Sequence, residues 1–235
     1  TTTTTAAAES ESDSAKGLKA GTEVAIGGGT FKIDSLDDAV HSNNSVTING
    51  GKIVIATGDD GIHGDSAVLA NGGDISISKS YEGIESLVIT IAGGDIEVNA
   101  SDDGINVGGG VDGSNPDMQS TTSENNLLSI TGGTVYVNAQ GDGLDSNGSI
   151  SMSDGKVIVS GPTNNGNGSL DYDQTFDISG GLLIAAGSSG MVQAGSEDSK
   201  QYSMLMTYPE TQTAGTILHV EDSKGNTVAT FAPEK

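Results

Sequence analysis

The segment GGKIVIA at 50–56 recurs as GGDISIS (72–78), GGDIEVN (93–99), GGTVYVN (132–138), DGKVIVS (154–160) and GGLLIAA (180–186), with an earlier copy, GGTFKID, at 28–34. The second glycines or their equivalents, Gly29, Gly51, Gly73, Gly94, Gly133, Gly155 and Gly181, are separated by 22, 22, 21, 39, 22 and 26 residues. A motif that returns at such a period marks a stack of like units, none of which can bury its apolar face alone. A second motif travels with the first: LDDAVHS (36–42), GDDGIHG (58–64), YEGIES (81–86), SDDGINV (101–107) and GDGLDS (141–146). Each unit therefore reads glycine turn, alternating strand, acidic turn, short apolar strand.

Apolar and polar residues alternate within GGKIVIA and its relatives, which is strand periodicity. A ~22-residue unit of three short strands, with no helical stretch, is one turn of a parallel β-helix. The fold expected is all-β, a right-handed parallel β-helix. Turns stacked ~4.8 Å apart place equivalent residues in ladders. Ile53, Ile75, Ile96 and Val135 fall in one inward file, with Ile55, Ile77, Val98 and Val137 beside it. Aromatic residues make up only 3% of the chain, so thin layers of Ile, Val, Leu and Ala must supply the core. Glycine fits the corners, where positive φ or close backbone approach is needed. Nonapeptide calcium solenoids, leucine-rich repeats and β-sandwiches each fail on period or scaffold.

Two places break the register. The 39-residue interval between Gly94 and Gly133 holds a surplus, GGGVDGSNPDMQSTTSEN at 108–125, whose polar, Pro-bearing composition reads as a loop projecting from one corner. After 186 the repeat decays, and GTILHVEDSKGNTVATFA (215–232) reads as two strands around a Lys-Gly-Asn turn. The organisation expected is a Thr/Ser/acid-rich linker at 1–16, the β-helix at 17–196, and C-terminal strands at 197–235 forming a hairpin cap, or else opening a further module. No cysteine is present, and no apolar run reaches transmembrane length. Membrane insertion is therefore not expected.

The formal net charge is −23, and all nine basic residues are lysine. Such a charge argues against nucleic acid and anionic membranes as partners. In the stacked turns Asp38, Asp60, Glu82, Asp103 and Asp142 occupy one position, Asp37, Asp59 and Asp102 the position before, and His41, His63, Glu85, Asn106 and Asp145 the position three later. Neighbouring carboxylates at ~4.8 Å repel by roughly 0.9 kcal/mol in water and nearer ~3.5 at an effective dielectric of ~20. With no lysine read into these columns, cations, protons or free solvation must offset the repulsion. Calcium fits, because it takes six to eight oxygen ligands. Ordinary Asp-Gly turn chemistry facing water is the plainer alternative. The pair His41 and His63 also admits a transition metal.

Together, GDDGIHG, YEGIES, SDDGINV and GDGLDS, interleaved with the glycine strands, resemble the bacterial cell-surface carbohydrate-binding β-helix family of cellulolytic and gut clostridia, over roughly 20–235. The resemblance implies a non-catalytic, calcium-binding, pectate-lyase-like fold that binds plant cell-wall polysaccharide, acidic sugars such as polygalacturonate and also cellulose. It also implies ligand-bearing roles for Asp59, Asp60, Glu82, Glu85, Asp102, Asp103, Asn106, Asp142 and Asp145. The sixth acidic motif has decayed to GNGSLDYD (166–173), so Asp171 and Asp173 match only loosely.

The residues leave three classes open. A lyase would need a base, and Lys79 is the lysine nearest the acidic turns. A hydrolase would need two carboxylates in different environments, which a uniform ladder does not provide. A rigid spacer would need neither. For a binding module, Tyr81 and Lys79 are the candidate sugar contacts, with Tyr136 and Tyr172 as further aromatics. The expected protein is a monomer, secreted or anchored at the bacterial cell surface.

Overall fold

A computed structural model describes residues 15–108 and 125–235. The expected linker, apart from Ala15 and Lys16, and nearly all of the expected corner loop lie outside the described residues. Every regular element among those described is a strand.

The strands wind into seven rungs. The first holds β1 (Leu18–Ala20), β2 (Glu23–Ile26) and β3 (Thr30–Ser35). The second holds β4 (Val40–Ser42), β5 (Ser45–Ile48) and β6 (Lys52–Thr57). In the third, β7 (Ile62–Ala70) spans two strand positions before β8 (Asp74–Ser80), and the fourth repeats this with β9 (Ile84–Ile91) and β10 (Asp95–Ala100). The fifth holds β11 (Ile105–Val107) and β12 (Leu127–Ala139), the sixth β13 (Leu144–Ser146) and β14 (Ser149–Ser160). The seventh holds β15 (Leu170–Tyr172), β16 (Phe176–Ile178) and β17 (Leu182–Ala186). A separate antiparallel hairpin, β18 (Leu218–Glu221) with β19 (Thr227–Phe231), follows.

All rung-to-rung pairings are parallel and, apart from shifts at a few bulges, in register, so the period-2 alternation of each strand becomes a ladder along the solenoid. In the third strand position, Phe31, Ile53, Ile75, Ile96, Val135, Val157 and Leu183 stack one above another. In the first, the file is Leu18, Val40, Ile62, Ile84, Ile105, Leu144 and Leu170. The interior members of these files are buried, and so are Ile55, Ile77, Val98 and Val137, as expected for both ladders singled out in the sequence.

The glycine corner has a steric reason. Gly29, Gly51, Gly73, Gly94, Gly133, Gly155 and Gly181 all have φ between 83° and 110°, the left-handed region, and among the described residues no other residue type has positive φ. A Cβ on Gly94 would also lie 2.8 Å from the Gly73 carbonyl oxygen below it. Both the backbone angle and the stack thus exclude a side chain.

Carbonyls left open at the end of the stack are met by the chain at 188–201. Ser196 N donates to the Phe176 carbonyl (2.9 Å), Gln201 N to Ile178 (3.0 Å), and Ser188 N to Pro162 (2.7 Å). The hairpin appears as expected, and the residues after it return to the outer face of the third strand position. There Asn138 Nδ2 donates to Glu234 Oε2 (2.7 Å), Glu234 N donates to Ser160 Oγ (3.3 Å), and Lys235 Nζ reaches the Ala139 carbonyl.

Replacing Gly94 with Ala is expected to lower stability by about 2–4 kcal/mol. Gly215, in the tail, has positive φ but open space around a built Cβ. Gly215→Ala should therefore cost less, and urea midpoints of the two variants compare them directly.

Candidate functional site

The turn between the third strand of one rung and the first strand of the next sets two columns. One runs Lys16, Asp38, Asp60, Glu82, Asp103, Asp142 and Gly168, because the amide following each of the first six bonds the carbonyl of the next in the series. The other runs Lys19, His41, His63, Glu85, Asn106, Asp145 and Asp171. Asp37, Asp59, Tyr81 and Asp102 form a third file alongside, where Tyr81 N donates to the Asp59 carbonyl and Asp102 N to the Tyr81 carbonyl. All of the acids and Asn106 singled out in the sequence therefore share one face.

Two expectations need correction. Both columns contain a lysine: Lys19 heads the second, and in the first Lys16 Nζ sits 2.7 Å from Asp37 Oδ1 and 2.7 Å from Asp38 Oδ2. Counting back 22 residues from Asp38 finds Lys16. The low complexity of the preceding residues obscured the match. The ladder is also not uniform, since its two ends have different partners and different proton affinities.

At the Lys16 end, burial works to raise the Asp38 carboxyl. Hydrogen bonds from His41 and Lys16 and the nearby His63 outweigh it and hold that carboxyl at about 2. His41 Nδ1 lies 2.8 Å from Asp38 Oδ2, and His63 Nδ1 lies 3.1 Å from Glu85 Oε2 and 3.2 Å from Asp60 Oδ2. Burial of the His63 ring disfavours its charge, but Asp60, Asp38 and Asp65 together raise its proton affinity.

Toward the other end the column is oxygen only. Asp103 is pushed up to about 7 and Asp145 to about 8, first by burial and then by neighbouring carboxylates. Asp142, Glu82 and Glu85 rise for the same reasons, burial first. Part of this crowding serves the fold. Asp103 Oδ1 accepts the Asp142 amide (2.6 Å), Asp142 Oδ1 accepts the Gly168 amide (2.5 Å), and Asp38 and Asp60 do the same one rung on. Those bonds use one oxygen of each carboxylate, and at Asp103 and Asp142 no cationic side chain among the described residues balances the charge that remains.

The residues present fit a hard cation. Ligand oxygens of Asp103, Asp142 and Asp145 lie within 4.8 Å of one another. Asn106, next to Asp145 in the second column, donates its Nδ2 to Glu82 (2.9 Å) while its buried Oδ1 has no hydrogen-bond partner. An orphaned carbonyl oxygen beside crowded carboxylates is the donor set a calcium ion takes. Asp37, Asp38 and Asp59 form a second oxygen group, the two histidines join Asp38, and His63 also joins Asp60 with Glu85.

Part of the chain matches a known family. A family model described as "Carbohydrate-binding domain-containing protein" matches residues 1–61, a span that includes Asp37, Asp38, Asp59 and Asp60 and supports carbohydrate binding. No curated protein and no solved structure matches.

Among the aromatics, Tyr81 is 48% exposed on the acidic face, and its hydroxyl bonds Asp102, whose charge helps hold the phenol up at about 12. Lys79 lies at a bulge in β8, exposed, two residues before it. Tyr136 stands on the outer face of the third strand position with the Lys156 Nζ 5.3 Å from its ring centre. Tyr172 is structural: its hydroxyl donates to the Ala194 carbonyl (2.6 Å) and its ring meets Phe176 edge-on. Asn43 and Asp65, absent from the sequence reading, occupy the corner after the histidines. Neither belongs to the repeated acidic motif, so only their two-residue spacing from His41 and His63 hints at them.

Carboxylates whose folded pKa lies above the unfolded value of ~4 favour the fold while protonated, and that contribution is lost as pH rises through the folded value. For Asp103 and Asp145 the window runs from ~4 to about 8. His63 acts in the same direction, whereas Asp38 stabilises throughout that window and loses its contribution only toward about 2. Chelator-treated protein should therefore melt lower at about pH 8 than at about pH 5, by on the order of 5 °C. Calcium should raise the melting temperature more at the higher pH. A flat profile with no calcium effect would mean that the column is simply solvated.

Proposed function

We propose that this chain is a non-catalytic, calcium-dependent binder of plant cell-wall polysaccharide, with acidic sugars such as polygalacturonate preferred, displayed outside a bacterial cell. The observation that carries the reading is the position of Tyr81. Its exposed ring stands in file between Asp59 and Asp102, beside the oxygen cluster of Asp103, Asp142 and Asp145.

The physical logic has two parts. An acidic surface repels an acidic polymer unless a cation lies between them, and a divalent ion held by turn carboxylates has coordination positions left for a uronate. A tyrosine face supplies apolar contact to a sugar ring at low entropic cost, and Lys79 adds a positive charge nearby. The partial match to a carbohydrate-binding description agrees with this reading.

The split pKa values would also suit acid–base chemistry, but the crowded carboxylates converge on a cation-sized cluster, without an isolated acid and base on opposite sides of a cleft. Cation binding accounts for them without a reaction.

Affinity electrophoresis in gels containing polygalacturonate is the direct test. Retardation is expected with calcium and should vanish with chelator. Tyr81→Ala should weaken the retardation about tenfold, a loss of ~1.4 kcal/mol, while leaving the fold unchanged. Equal mobility in all gels would exclude acidic pectin as the ligand. Accumulation of unsaturated uronides, abolished by Lys79→Ala, would instead establish a lyase.

A further inference from the structure

The two histidines use only one side of each ring in the contacts described above. Both Nδ1 atoms face carboxylates, His41 toward Asp38 and His63 toward Glu85 and Asp60. A carboxylate at Nδ1 favours the N–H there and leaves Nε2 as an acceptor in the neutral ring, which for His63 has no partner, whereas His41 Nε2 meets the Asn43 Oδ1 acceptor at 3.2 Å. Those two Nε2 atoms point to the opposite side, toward Asp65. His63 Nε2 lies 3.6 Å and His41 Nε2 3.9 Å from Asp65 Oδ1. His63 is 1% exposed, and both its Nε2 and Asp65 Oδ1 are buried without a hydrogen-bond partner.

Two buried acceptors facing one another with no donor between them is an unfavourable arrangement that persists only if something electropositive fills the gap. The separations are too long for a hydrogen bond. They lie a few tenths of an ångström beyond the ~3.3 Å between two ligands of a tetrahedral ion with ~2.0–2.1 Å bonds.

We infer that His41 Nε2, His63 Nε2 and Asp65 Oδ1 form a binding site for a divalent transition metal of the zinc type, spanning the second and third rungs and separate from the oxygen cluster. Two imidazoles and one carboxylate suit zinc, copper or nickel and do not suit calcium, which takes oxygen. The carboxylates at Nδ1 supply the outer support that metal-bound histidines have elsewhere. Entry is from the solvent side: the Asp65 side chain is 19% exposed, and exposed Asn43 places its Oδ1 3.2 Å from His41 Nε2, at the rim of the site. In the next rung the same corner is one residue shorter, with Leu87 alone between Ser86 and Val88, so the ligand set ends there.

The competing occupant is a proton, which would make His63 an imidazolium toward Asp65. Calorimetric titration of the full chain with zinc chloride in saturating calcium at neutral pH separates the two. One equivalent of zinc should bind with a dissociation constant in the low micromolar range or tighter. Asp65→Ala, a change at the solvent edge, should weaken binding at least tenfold without altering the β-sheet circular dichroism. His41→Gln should weaken it similarly, and cobalt(II) should give the visible absorption bands of a four-coordinate ion, lost in the same variants. Absence of saturable zinc binding in calcium-loaded protein would leave the proton as occupant and overturn the assignment. Zinc binding that Asp65→Ala leaves intact, or that excess calcium displaces, would overturn it too, by placing the metal in the oxygen cluster.

Discussion

Parallel, in-register hydrogen bonding between rungs governs the rest of the molecule. Because each residue sits above its counterpart at about the strand spacing, whatever a position contributes is repeated up to seven times along the axis. For Ile and Val that repetition builds a dry core from small layers, which is how a chain with so few aromatics buries enough surface. For glycine it permits a corner that no side chain could occupy. For carboxylates the same repetition compounds repulsion, and the acidic turns carry the chemistry because they are where the stacking rule is least comfortable.

That discomfort is relieved differently at the two ends of the face. Near Lys16 the compensation is covalently part of the chain: one ammonium and two imidazoles surround Asp38 and Asp60. From Glu82 onward no cationic side chain accompanies the acids in the two columns, and the carboxyls hold their protons to unusually high pH. A single repeating motif has thus diverged into a nitrogen-bearing end and an oxygen-only end, through substitutions at one position: His41 and His63, then Glu85, Asn106 and Asp145.

Much of this was legible in the sequence because a solenoid turns spacing into contact. The interior ladders, the glycine corners and the shared face of Asp37, Asp38, Asp59, Asp60, Glu82, Glu85, Asp102, Asp103, Asn106, Asp142 and Asp145 follow from counting residues. Counting did not say which atoms face which. The division of each histidine between an Nδ1 side and an Nε2 side depends on ring orientation, and Asp65 enters only because a corner residue turns back over His63. Nor did the motif reveal that Asp103 and Asp142 accept the next rung's amide, a role any Asp-Gly turn could disguise.

The segment at 188–201 has a consequence for assembly. A parallel strand edge with open carbonyls is a template onto which another chain can add, and a solenoid of identical rungs would offer an almost perfect match to a second copy of itself. By closing the seventh rung with irregular backbone, residues 188–201 turn that end into a terminus. The length of the rod at that end is then written in one polypeptide and does not depend on concentration, so an acidic, glycine-rich stack can be kept at high density without polymerising through that edge.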